Sequence, residues 1–158
     1  MSMSVMAAEG LITNYGLYSV ANGGIAYRHP GSTAGRAAGG VEAVHIEKTT
    51  SVPLRKGIMF GFEWEAEGFP PNMPVIITYR VKHPPALKPD GQVSTGFDEP
   101  FYVFPEGITL KTADYYMLSE DWELLPGEWT ISVLYKDTVI VEKTFTVAEE
   151  HREDSSPL

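Results

Sequence analysis

Apolar and polar residues alternate with a period of two along most of this chain. In the stretch IMFGFEWE, Ile58, Phe60, Phe62 and Trp64 would share one face of an extended strand. The stretch PVIITYRVKH, at positions 74–83, repeats the alternation and begins at a proline, a residue that a strand accepts at its first position. The period predicts β-strands in both places.

Further strand candidates follow along the chain: LITNYGLYSV (11–20), VEAVHIEKTT (41–50), FYVF (101–104) and LLPGEWTISVLYKDTVIVEKTFTV (124–147). The last of these reads as a terminal hairpin entered through a Pro-Gly turn. The 15 glycines and 12 prolines are spread between the candidates, as is typical of short strands joined by turns. We therefore predict an all-β, Ig-like antiparallel β-sandwich of about seven to nine strands. The segment 112–125 fits either a strand or one short helix.

The chain of 158 residues is long enough for one domain. We assign 1–10 to an N-terminal extension, 11–147 to a single β-sandwich domain and 148–158 to a polar C-terminal tail. Within the domain, 22–40 is a glycine-rich stretch without a hydrophobic period, and we predict a long loop there. Such a loop is mobile or is ordered by a partner.

Three stretches in this order give the chain a family resemblance: KTTSVPLRKGIMFGFEWEAEGFP, then VKHPP, then ELLPGEWTISVLYKDTVIVEKTFTV. They resemble a family of bacterial domains of unknown function that is predicted to adopt an Ig-like β-sandwich. The resemblance covers roughly 11–147 and supports the fold. It implies no activity and no catalytic set, because that family has none established. Its members often carry secretion signals.

Charge and composition exclude several classes of partner. The formal net charge is −9, from 21 acidic and 12 basic side chains, so we expect no nucleic-acid binding and no docking on anionic lipid. No apolar run reaches the ~18–20 residues of a membrane span, which predicts a soluble chain without direct membrane insertion. The start, MSMSVMAAEG, lacks the pattern of a signal peptide. We favour a cytoplasmic location, with the periplasm as the alternative if a signal has been removed.

No catalytic, cofactor or metal signature stands out. The chain has no cysteine, and its histidines (His29, His45, His83 and His151) are scattered without the spacing of metal ligands. The stretch GSTAG places Thr33, not a serine, at the centre of a nucleophile-elbow-like pattern, and no helix pattern follows it. We therefore predict a protein that is not an enzyme and that needs no cofactor.

The glycine-rich stretch is our candidate for contact with a partner, which we expect to be another protein or a larger assembly. We choose Tyr27, Arg28 and Arg36 as anchors because tyrosine and arginine are frequent in interface hot spots. Deleting 31–40 is expected to weaken the association and to leave folding intact.

The alternative function is a small-ligand or carbohydrate-binding module. Tyr115, Tyr116 and Trp122 lie in the least regular segment and are flanked by acids. If their rings are exposed together, they form a stacking platform for a sugar.

Overall fold

The computed structural model describes residues 8–150, so parts of both predicted tails, 1–7 and 151–158, lie outside the described residues. The described chain is almost entirely β, with one short 3₁₀ turn at Asp121–Glu123. No helix within 8–150 has the length and apolar character to cross a membrane. The strands are β1 (Glu9–Asn22), β2 (Ile25–Arg28), β3 (Arg36–Gly39), β4 (Glu42–Glu47), β5 (Ser51–Pro53), β6 (Met59–Glu67), β7 (Val75–Leu87), β8 (Val93–Val103), β9 (Thr109–Met117), β10 (Gly127–Tyr135) and β11 (Thr138–Ala148).

The strands form two main sheets and one separate hairpin. One sheet has the order β4-β1-β6-β9 and the other β5-β11-β10-β7-β8, while β2 and β3 pair with each other. All neighbouring strands are antiparallel except β5 and β11. The predicted all-β sandwich is confirmed. Within residues 8–150 its two sheets hold four and five strands, nine in all, which agrees with the seven to nine predicted; β2 and β3 form the separate hairpin.

The core lies between β6 of one sheet and β10 of the other. Phe60, Phe62 and Trp64 face inward from β6 and are buried, as the alternation predicts. Trp129 on β10 meets Phe60 edge-on, with ring centroids 6.1 Å apart. Such aromatic contacts bury much apolar area and fix the stacking of the two sheets.

A β-bulge in β11 reverses the face of one residue relative to strict alternation. The alternation places Val139 on the inward face with Val141, but Val139 is exposed. Because the register shifts between the pairs Val133–Val141 and Leu134–Val139, Ile140 is the extra residue of the bulge. Beyond this bulge, Lys143 extends over the ring of Tyr15, with its Nζ 4.0 Å from the ring centroid.

The edge strands β8 and β9 lie on the same side of the sandwich. The Tyr79 hydroxyl on β7 donates to the Tyr115 carbonyl on β9 at 2.7 Å, and the rings of Phe97 and Tyr116 are 6.3 Å apart. For the segment 112–125, the sequence allows either a strand or one short helix. The structure contains both, since the segment begins in β9 and continues into the 3₁₀ turn. This side of the molecule carries the candidate site.

Candidate functional site

The glycine-rich stretch forms a regular β-hairpin, which corrects the prediction of a long loop without secondary structure. β2 and β3 pair in continuous register from Ile25–Gly39 to Arg28–Arg36. Gly24, Gly35 and Gly40 adopt positive φ angles of 68°, 84° and 73°, which glycine enters without the penalty that a Cβ brings. The glycines therefore make the bends of a hairpin.

The hairpin lies across the side of the sandwich where β8 and β9 meet. The Tyr27 hydroxyl donates to Glu99 on β8 at 2.5 Å, and the His29 Nε2 atom is 3.6 Å from the same carboxylate. On the other strand of the hairpin, Arg36 donates to Glu120, which follows β9, at 2.6 Å. The hairpin thus spans the gap between the two sheets.

The tip of the hairpin is anchored by a buried hydroxyl. Thr33 is 0% exposed, and its Oγ1 lies 2.8 Å from His83 Nε2 and 3.1 Å from Ser94 Oγ. His83 Nδ1 is 2.7 Å from the Pro84 carbonyl, which can only accept, so Nδ1 carries the hydrogen and Nε2 accepts from Thr33. Burial lowers the pKa of His83 and so favours this neutral form. Trp122 Nε1 donates to the Thr33 carbonyl at 2.7 Å.

A buried carboxylate, that of Glu123, lies in the same region. Glu123 is 0% exposed and accepts four hydrogen bonds, from the Tyr116 hydroxyl, the Ser119 amide and hydroxyl, and the Glu120 amide. Burial and the neighbouring carboxylate raise the pKa of Tyr116, which keeps its hydroxyl a donor. Within residues 8–150, no buried side-chain nitrogen or oxygen lacks a partner. The cluster is therefore a satisfied structural network.

The chemistry open to this network is limited by access. A threonine hydroxyl on an imidazole nitrogen has the connectivity of a nucleophile and its base, but a substrate cannot reach Thr33 because it is fully buried. Among the described residues, no three His, Asp or Glu side chains group in a way that would hold a metal ion. The geometry serves to position the hairpin.

The predicted sugar platform is not assembled. Tyr116 is 7% exposed and faces the core, while the Tyr115 ring packs 4.7 Å from the Tyr18 ring. Adjacent residues of a strand point to opposite faces, so two consecutive tyrosines of β9 cannot share one platform. Trp122 turns its indole N–H toward Thr33. The three rings therefore do not share one exposed face.

The predicted partner anchors all lie on the hairpin. Tyr27, Arg28 and Arg36 are exposed, although Tyr27 and Arg36 also bond to acids of the sandwich. Sequence reasoning missed Ile25, which is 80% exposed on β2. A lone isoleucine within a glycine-rich stretch is the sequence signal that could have identified it.

Replacing Thr33 with valine is expected to lower the free energy of unfolding by about 2 kcal/mol, because His83 Nε2 and Ser94 lose their shared buried partner. Urea unfolding measures the loss. Amide exchange of β2 and β3 should also accelerate relative to that of β10. Thr130→Val is the matched control, since its hydroxyl meets Thr144 at an exposed position. Equal stability of the two variants would contradict the anchoring role of Thr33.

Comparisons with known proteins agree with the fold. The family profile of a domain of unknown function, DUF3859, matches residues 11–147. An immunoglobulin-like protein from Pseudomonas aeruginosa has a similar structure, with a TM-score of 0.63 and 22% identity over 92% of this chain and 100% of that one. Part of the alkylpurine DNA glycosylase AlkC from Pseudomonas fluorescens aligns with a TM-score of 0.43 and 12% identity, over 62% of this chain and 27% of that one. The latter likeness is too low to support an argument. No curated protein matches the sequence significantly.

Proposed function

We propose that this chain, which belongs to the DUF3859 family of domains of unknown function, is a non-catalytic interaction subunit that binds a protein partner through the β2–β3 hairpin. One observation carries the proposal. The tip of the hairpin is held in the sandwich by buried hydrogen bonds, whereas its stem exposes a large apolar side chain, Ile25.

The rigidity of the hairpin supports a binding role. An isolated two-stranded hairpin is at best marginally stable in water, but this one is anchored at Thr33 and braced through Tyr27 and Arg36. A preorganised contact loses less conformational entropy on association than a mobile loop does. Ile25, Tyr27 and Arg28 then offer a partner an aliphatic, an aromatic and a cationic group on one short strand.

Charge indicates the chemistry of that partner. Arg28 and Arg36 are directly opposite each other in the hairpin, an arrangement of like charges that weakens strand pairing. Glu120 balances Arg36. In a chain of net charge −9, this pair is a local basic spot, and an acidic side chain of the partner would complement Arg28.

Because the tip of the hairpin is anchored in the sandwich, deleting it is not a suitable test of partner binding. Deletion of 31–40 would remove Thr33 and leave His83, Ser94 and Trp122 without their hydrogen-bond partners. We therefore expect this deletion to destabilise the fold, whereas the sequence alone predicts that folding stays intact. A point substitution on the exposed stem avoids this problem.

Replacing Ile25 with aspartate is expected to weaken partner binding at least tenfold without changing stability, because the side chain is exposed and the aspartate would oppose an acidic partner. The measurement is capture of tagged chain from its native extract, followed by the affinity of the partner identified. Val139→Asp, on the exposed bulge of β11, is the matched control. A partner that binds the Ile25→Asp variant as tightly as wild type, or a wild-type chain that captures nothing, would refute the proposal.

A further inference from the structure

A second surface lies at the far end of β8 from Ser94 and the hairpin tip. There the chain leaves β8 and crosses to β9 in the other sheet. The crossing borders an open hollow of about 530 Å³, lined by Phe104, Glu106, Thr109, Leu110 and Lys111. This volume falls within the ~300–1,000 Å³ range of small-molecule sites.

The wall of the hollow is fixed by backbone hydrogen bonds. Glu106 and Thr109 exchange two of them, at 2.8 and 2.9 Å, across a turn in which Gly107 has a φ of 59°. The Ile108 carbonyl accepts from the amides of Gly68 and Phe69, which joins the turn to the connection between β6 and β7. The lining side chains therefore project from a defined frame.

An aromatic ring and polar groups meet in this hollow. Phe104 is 75% exposed, and Tyr102, two residues earlier, is 67% exposed. Residues at this spacing on an extended chain lie about 7 Å apart on the same face. Glu106 supplies a hydrogen-bond acceptor, Lys111 a donor, and Thr109 a hydroxyl that does either.

We propose that this hollow binds carbohydrate, with one pyranose ring stacked on Phe104 and a neighbouring unit reaching Tyr102. A sugar presents a C–H face to an aromatic ring and hydroxyl groups at its edge, which match the acceptor, the donor and the hydroxyl of the lining. Glu106 and Lys111 carry opposite charges, so the lining favours a neutral ligand over an ion. The site is separate from the hairpin and does not depend on the partner contact.

Thermal shift and titration calorimetry test the site with glucose, galactose, mannose, N-acetylglucosamine and their β-1,4-linked disaccharides, up to tens of millimolar. At least one sugar is expected to raise the unfolding midpoint by mass action. Phe104→Ala is expected to lower the affinity for that sugar at least tenfold. Lys111→Met is expected to lower it at least about threefold. Phe104→Trp should keep the binding, because it keeps a stacking face.

Ile25→Asp should leave sugar binding unchanged, which separates this test from that of the partner contact. If no sugar of the panel shifts the midpoint or produces heat, the inference is wrong. It is equally wrong if Phe104→Ala binds as tightly as wild type, or if Phe104→Leu binds as well as Phe104→Trp. The last outcome would assign Phe104 to a simple apolar contact, such as one with a peptide.

Discussion

Replacing Glu123 with alanine is expected to lower the free energy of unfolding by about 4 kcal/mol, because each buried donor left without its acceptor costs about 1–3 kcal/mol and the structure relaxes only in part. The truncation would leave the Tyr116 hydroxyl, the Ser119 hydroxyl and two backbone amides without their acceptor. In a chain of this length, the melting temperature should fall by about 8–16 °C. Urea unfolding and calorimetry measure both quantities.

Two further variants define what Glu123 contributes. Glu123→Gln keeps an acceptor oxygen for Ser119 and Glu120, so we expect it to lose about half as much stability as Glu123→Ala. Glu128→Ala is the surface control, since Glu128 is exposed on β10, and should change stability by less than about 0.5 kcal/mol. If Glu123→Ala matched this control, the network would be irrelevant to the fold.

The Glu123 network also supports the proposed partner contact. Glu123 accepts from the Glu120 amide, and the neighbouring Trp122 donates to the carbonyl of Thr33. Arg36 bonds to Glu120 in the same segment. Loss of Glu123 should therefore loosen the anchorage of the hairpin as well as the core, and weaken partner binding more than an equally destabilising change elsewhere.

The fold could be predicted because strand periodicity is a local property. Phe60, Phe62 and Trp64 alternate within a few residues, and the pattern alone assigns them to the core. The hairpin carries no such signal, since β2 and β3 have four residues each and nearly all of these are exposed. The alternation does not reveal the bulge at Ile140 either, because the extra residue turns only Val139 outward and leaves Val141 and Phe145 on the inward face.

The anchor of the hairpin could not be predicted because its members are distant in sequence. Thr33 is 50 residues from His83 and 61 from Ser94, and strand order brings them together. The misplaced sugar platform had a different origin. Strand alternation separates Tyr115 from Tyr116, but the sequence of 112–125 fits a helix as well as a strand, and only the structure shows that both residues belong to β9. The strand pattern of FYVF covers Tyr102 and Phe104 but does not show that both rings are exposed.

Asp114 is an acid on the inward face of an edge strand. It lies opposite Phe62 in the register of β6 and β9, and its Oδ2 accepts from the Trp64 indole at 2.8 Å. Burial raises the pKa of Asp114 from its ordinary value of 3.8 to about 7, even though the Trp64 hydrogen bond acts in the opposite direction. An inward charge at an edge also discourages pairing with a strand of another chain.

Replacing Asp114 with asparagine is therefore expected to change how stability depends on pH. Because the folded state holds this proton more tightly, the stability that Asp114 contributes is complete below pH 3.8 and is lost as the pH rises through about 7. As the pH rises through this window, the free energy of unfolding of the asparagine variant should increase relative to that of wild type, by about 4 kcal/mol in total. Urea unfolding at pH steps from 4 to 8 measures the difference.

Asp98→Asn is the control, because the Arg80 hydrogen bond lowers the pKa of Asp98. Its difference from wild type should stay nearly constant from pH 4 to 8, since the stability contributed by Asp98 is lost only as the pH falls below the ordinary value of 3.8, and with the opposite sign. The effect should be smaller, because this ion pair is exposed. A difference between Asp114→Asn and wild type that stays constant from pH 4 to 8 would mean that Asp114 is solvated and ionises normally.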